Sequence, residues 1–100
     1  MNKVQILDGG MGRELKRIGA PFQQPEWSAL ALLEAPEYVS MAHNAFISSG
    51  ADIITTNSYA VVPFHIGELR FTERGHELAQ LAAEIARACT DKASHPVKVA

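Results

Sequence analysis

The stretch Val4-Gln5-Ile6-Leu7-Asp8-Gly9-Gly10-Met11-Gly12-Arg13-Glu14-Leu15 holds a strand, a turn and a helix start in that order. Val4, Ile6 and Leu7 are the apolar and β-branched residues a buried strand calls for. Asp8 ends that run, and three glycines follow within four residues. Glycine permits positive φ and lets another group approach the backbone closely. Asp8 is therefore expected at the C-terminal end of a strand, beside exposed N–H groups at a helix start. Ligands bind at that edge in α/β folds.

The rest of the chain extends this pattern. Met11, Leu15 and Ile18 recur at helical spacing, with Arg13, Glu14, Lys16 and Arg17 toward solvent and Gly19 as a stop. Residues 20–26 carry two prolines and read as a loop. Residues 27–33 suggest a short packed helix. Pro36 and Glu37 suit the first turn of the next helix. Its stripe is Val39, Ala42, Phe46 and Ser49, and Gly50 closes it. A second buried strand is expected over residues 53–56, delivering Thr56, Asn57, Ser58 and Tyr59 to a loop. Residues 60–71 read as a mixed loop with at most a turn of helix. Thr72 is expected to cap a long helix whose core face is Leu78, Leu81, Ala82, Ile85 and Cys89, with Gly75 its weak point. Residues 97–100 look like a third strand just beginning.

Strand, helices, strand, helix, strand start describes a parallel α/β arrangement with right-handed crossovers. Both polar clusters, Asp8-Gly9-Gly10 and Thr56-Asn57-Ser58-Tyr59, then leave the same edge of the sheet. A parallel sheet needs both faces covered, and so few strands cannot do it. Residues 1–100 are therefore expected to be the front part of one larger α/β domain, incomplete at the C-terminus.

Composition narrows the function. The net charge is −2, from 9 basic and 11 acidic residues without a basic stripe, which argues against nucleic acid or an anionic membrane as partner. The opening residues 1–3 lead into too short an apolar run for a signal peptide or a membrane span, so a cytoplasmic location is expected. A single cysteine, Cys89, excludes an internal disulfide, and within a helical stripe it reads as a packing residue. His43, His65, His76 and His95 show no metal-ligand spacing and read as surface or packing residues.

Taken singly, the motifs stay open. Asp-Gly-Gly-Met-Gly fits a plain tight turn or a phosphate cradle, but neither the dinucleotide nor the Walker pattern. Asp8 fits a helix cap or a ligand contact. Thr55 and Thr56 fit ordinary β-formers, Asn57 a turn residue and Tyr59 a packing residue. Their convergence suits a small zwitterion, the acid binding an ammonium and the N–H groups a carboxylate.

Ile6-Leu7-Asp8-Gly9-Gly10-Met11-Gly12-x-Glu14-Leu15 resembles the opening of the homocysteine S-methyltransferase family. Trp27-Ser28-Ala29 with Leu33-Glu34-x-Pro36-Glu37, and then the run from Gly50 to Tyr59, resemble that family's next two signatures. Val97-Lys98-Val99-Ala100 is similar to its third strand. Arg13 departs from the threonine found in many members. The resemblance covers essentially the whole chain. It implies a (β/α)8 TIM barrel, of which this chain supplies the first strand, first helical segment, second strand, second helical segment and the start of the third strand. It implies methyl transfer from an activated donor, S-methylmethionine or S-adenosylmethionine foremost, to the thiol of homocysteine, giving methionine.

Zinc, the cofactor the family implies, holds the sulfur as a thiolate there, through cysteines with no counterpart in residues 1–100. The segment therefore carries neither catalytic nor metal-binding residues of its own and is expected to be inactive alone. What the resemblance assigns is the amino-acid end of the site. Asp8 would contact the substrate ammonium and the N–H groups around Gly9 and Gly10 its carboxylate. Thr56 and Asn57 would line the pocket, and Tyr59 would lie near the approaching donor. Two alternatives remain: a non-catalytic truncated barrel fragment, and a related barrel that methylates another thiol or a selenol.

Overall fold

The computed structural model describes residues 4–100; residues 1–3, on which part of the location reading rests, lie outside the described residues. The fold is mixed α/β and mostly helical. Among the described residues, five helices, α1 (Met11–Arg17), α2 (Ser28–Glu34), α3 (Glu37–Ser48), α4 (Pro63–Ile66) and α5 (Glu68–Asp91), accompany two short strands, β1 (Ile53–Ile54) and β2 (Lys98–Val99). A 3-10 turn spans Asn57–Ala60.

The strands are parallel, with Ile53 opposite Lys98 and Ile54 opposite Val99. On the other side of β1, Leu7 forms a parallel bridge to Ile53. Asp8 N–H donates to Ile53 O at 2.9 Å, and Asp52 N–H to Ile6 O at 2.7 Å. Residues 6–8 thus run beside β1, which lies between them and β2. The expected parallel arrangement holds in this way, with shorter strands than the residue types suggest.

One expectation fails. The first strand is not buried: Val4, Ile6 and Leu7 are 83%, 56% and 59% exposed. Residue type favours a buried strand, but burial needs covering partners on both faces, and the described residues leave these side chains largely uncovered.

Helix packing supplies the core. Leu15, Leu32, Val39 and Leu78 are wholly buried in one cluster among the helices, each contributing about 1.5–3 kcal/mol by burial. A second cluster, Ile47, Ala51, Ile54, Ala86 and Cys89, joins α3 and α5 to the sheet. The buried positions of α5 are Gly75, Leu78, Ala82, Ala86 and Cys89, spaced three or four apart to form one stripe.

The long helix starts a turn before the expected cap Thr72. Gly67, at φ +87°, turns the chain out of α4, and Glu68 occupies the first turn, where an acid suits the helix dipole. Thr72 is an exposed helical residue. Gly75 is tolerated for a packing reason: a β-carbon there would lie 3.1 Å from Phe71 Cδ1.

Candidate functional site: the strand-end polar cluster

The first polar cluster meets Thr55, the residue before the second cluster, where residues 6–8 and β1 end side by side. The Asp8 carboxylate accepts the Thr55 N–H at 2.8 Å through Oδ2 and the Thr55 hydroxyl at 3.0 Å through Oδ1. These bonds orient a half-buried carboxylate across 47 positions of sequence. A carboxylate has about four lone-pair sites, so acceptor capacity remains for a ligand. Gly9 and Gly10 next to it are exposed.

Gly9 and Gly12 are explained by close approach, not by positive φ, whereas a β-carbon on Gly10 would meet only an ordinary contact, 3.7 Å from Arg13 Cβ. Gly10, the α1 N-cap, has φ −74°. A β-carbon on Gly9 would lie 3.1 Å from Phe46 Cε1, and one on Gly12 would lie 2.9 Å from Ser28 Oγ. The turn is therefore seated directly on α3 and α2.

Ser28 joins the second cluster to the helices. Its carbonyl accepts from Asn57 Nδ2 at 3.0 Å, and its Oγ accepts from the Tyr59 hydroxyl at 2.8 Å. Asn57 is fully buried, whereas the Tyr59 ring is half exposed. Thr56 and Ser58 share a hydroxyl–hydroxyl bond of 2.5 Å. Trp27, immediately before Ser28, holds φ +51° and ψ −123°, a conformation L residues rarely adopt and one that marks functional segments when the surroundings enforce it.

His43 lies beneath the cluster. It is wholly buried on α3, and neither ring nitrogen has a hydrogen-bond partner among the described residues. Burial pushes its pKa below the ordinary histidine value, while the negative charge of Asp8 pulls the other way. A buried donor or acceptor left unpaired costs about 1–3 kcal/mol. Asn57 Oδ1 is unpaired and buried as well.

The site residues expected from sequence thus separate. Asp8, Gly9 and Gly10 form the exposed turn. Thr56 and Tyr59 lie beyond it, and Asn57 is enclosed. Sequence reasoning passed over Thr55, Ser28 and His43. Thr55 reads as a β-former by type. Only the pairing of residues 6–8 with β1 reveals it as the residue that holds Asp8.

Other features lie apart from this edge. A cleft of about 410 Å³ is lined by Ile47, Cys89, Lys92 and His95 among others, and burial raises the Cys89 thiol pKa. No group of three His, Cys, Asp or Glu among the described residues could hold a metal ion. The zinc that the family resemblance implies therefore does not fit the described side chains. No helix among the described residues is long and apolar enough to cross a membrane.

An oriented acid, a glycine turn seated on two helices and a pair of hydroxyls lie together at the parallel strand ends of a mixed α/β fold. The homocysteine S-methyltransferase family model matches residues 5–100. This chain belongs to that family. It is 33% identical over 88 residues to homocysteine S-methyltransferase 1 of Arabidopsis thaliana, covering 87% of this chain and 27% of that protein. It is 37% identical over 90 residues to a selenocysteine methyltransferase of Astragalus bisulcatus, covering 89% and 27%. With a selenocysteine Se-methyltransferase of Brassica oleracea var. italica the identity is 37% over 82 residues, covering 81% and 24%. The chain spans about a quarter of the length of these relatives. No solved structure matches it.

Proposed function

We propose that this chain forms the amino-acid-binding end of a methyltransferase that moves a methyl group from an activated donor to the thiol of homocysteine, giving methionine. The observation that carries the reading is the Asp8 carboxylate, oriented by Thr55 at the strand ends in a chain of this family. An ammonium on the Asp8 carboxylate makes a charge-assisted hydrogen bond, about twice as strong as a neutral one. Thr55 fixes the carboxylate before the ligand arrives, so little ordering remains to be done on binding. N–H groups around Gly9 and Gly10 receive the substrate carboxylate. Thr56 and Tyr59 belong to the surrounding wall, Tyr59 toward the donor, and the enclosed Asn57 backs that wall through its bond to Ser28 rather than lining the pocket.

The architecture in this reading is the opening of a (β/α)8 barrel. The exposed Val4, Ile6 and Leu7 support it, because a closed barrel covers both faces of each strand, one by the barrel interior and one by helices. A metal that holds the thiol belongs to residues outside this chain, and the chain alone is inactive. The donor is S-methylmethionine or S-adenosylmethionine, and the location is cytoplasmic.

A second reading keeps the same amino-acid end and changes the nucleophile to a selenol. It is favoured by the two relatives named for selenocysteine. The test is product formation by the full-length protein carrying this chain, given each donor with homocysteine or selenocysteine. Methionine from homocysteine at the higher kcat/KM supports the first reading. Preference for selenocysteine moves the assignment to the second, and turnover of neither removes both.

A further inference from the structure

His43 occupies a position that packing alone does not explain. It lies one helical turn before Phe46, and residues three apart share a helix face. That face carries the glycine turn, because Phe46 is the side chain a β-carbon on Gly9 would meet at 3.1 Å. The imidazole is wholly enclosed, with neither nitrogen paired among the described residues. An apolar side chain of similar volume would fill the same space without burying unpaired polar atoms. Asp8 is the charged group whose field reaches the ring, and two of its lone-pair sites are taken by Thr55. A neutral imidazole always carries one N–H to donate.

We propose that His43 is a positioning residue whose ring N–H reaches the Asp8 carboxylate through one enclosed water, and so holds Asp8 together with Thr55. The ring never touches substrate. It restricts the carboxylate to one orientation, leaving the solvent-facing lone pairs for an ammonium. The role rests on the reading of Asp8 as the ammonium-binding acid. The pairing itself does not depend on which amino acid binds.

The full-length protein tests it with two variants and one spectroscopic measurement. His43→Phe keeps the volume and removes both nitrogens, whereas His43→Gln restores a donor. The expected result is a KM for homocysteine raised about tenfold in His43→Phe, with kcat and the donor KM unchanged, and mostly recovered in His43→Gln. A KM within twofold of wild type in folded His43→Phe overturns the proposal. Nitrogen-15 NMR of the ligand-free protein decides the matter even where His43→Phe does not fold. Asp8→Asn should displace the signal of one His43 ring nitrogen and speed exchange of its proton. An unmoved signal overturns the pairing. Absent turnover of homocysteine together with a displaced signal supports the pairing and removes only the substrate reading.

Discussion

Two aspartates sit at opposite ends of the same strand pair and make the same kind of bond. Asp8, where the first strand ends, accepts the Thr55 N–H at 2.8 Å. Asp52, where the second begins, accepts the Ile6 N–H at 2.9 Å. Each also pairs through its backbone: Asp8 N–H donates to Ile53 O, Asp52 N–H to Ile6 O, and Asp52 O accepts from Lys98. Their surroundings differ. Near Asp8 lie a second bond from a hydroxyl, a glycine turn on two helices, and a buried unpaired histidine. Near Asp52 lie Gln5, His95, Pro96 and Lys98 around a recess of about 150 Å³, and His95 is bonded to Ala51 O at 2.9 Å. A carboxylate that ties two strands together is therefore not by itself a site. The unpaired polar atoms and close backbone approaches around it distinguish the two.

The sharpest way to break this contrast is to crowd the Asp8 end. Gly12→Ala puts a methyl 2.9 Å from Ser28 Oγ, with Phe22 at 3.2 Å. Ser28 must shift, and its bond from Tyr59 goes with it. Overpacking of this kind costs about 1–3 kcal/mol, to be read as a lowered urea midpoint together with increased Tyr59 fluorescence quenching by solvent probes. Asp52→Asn, at the other end, keeps an acceptor for the Ile6 N–H. It should lower stability by less than about 1 kcal/mol and leave substrate KM unchanged.

The buried histidine gives the comparison a pH signature. With its folded pKa depressed, His43 stays neutral where the unfolded chain, near pH 6.5, takes up a proton. Its contribution to stability is complete above that pH and is lost as pH falls from there through the folded pKa. The slope reaches at most about 1.4 kcal/mol per pH unit. Denaturation midpoints between pH 7 and 5 should show it, and His43→Phe should flatten it. The smallest effect belongs to the pair Glu14–Arg17, whose guanidinium is exposed while the Glu14 side chain is mostly covered. Its hydrogen bond lowers the Glu14 pKa and raises that of Arg17, yet Glu14→Gln should move the urea midpoint little, since solvent screens the exposed Arg17 charge and Gln keeps an acceptor for it.

Much of this arrangement was legible in the sequence, for identifiable reasons. The β-branched run at residues 53–56, the glycine stops and the helical stripes each carry their own local signal, and parallel pairing then brings Asp8 to Thr55, beside the second polar cluster. The exposure of Val4, Ile6 and Leu7 was not legible, because side-chain type reports what a strand prefers and not what covers it. Nor were Thr55, Ser28 and His43. Thr55 matters through strand register, Ser28 through a carbonyl any residue carries, and His43 through enclosure by groups distant in sequence. The start of α5 was misread because Thr72 offers a side-chain cap, whereas the chain begins the helix at Gly67 by backbone conformation alone.

The central claim is that the Asp8 end binds the amino-acid part of the substrate and the Asp52 end does not. The direct measurement is the homocysteine KM of the full-length protein carrying Asp8→Asn, beside Asp52→Asn, at saturating methyl donor. Loss of a charge-assisted contact of about 1.5–3 kcal/mol should raise KM roughly 10- to 150-fold in the first variant and leave it unchanged in the second. Equal KM values in both variants and the wild type would contradict the account.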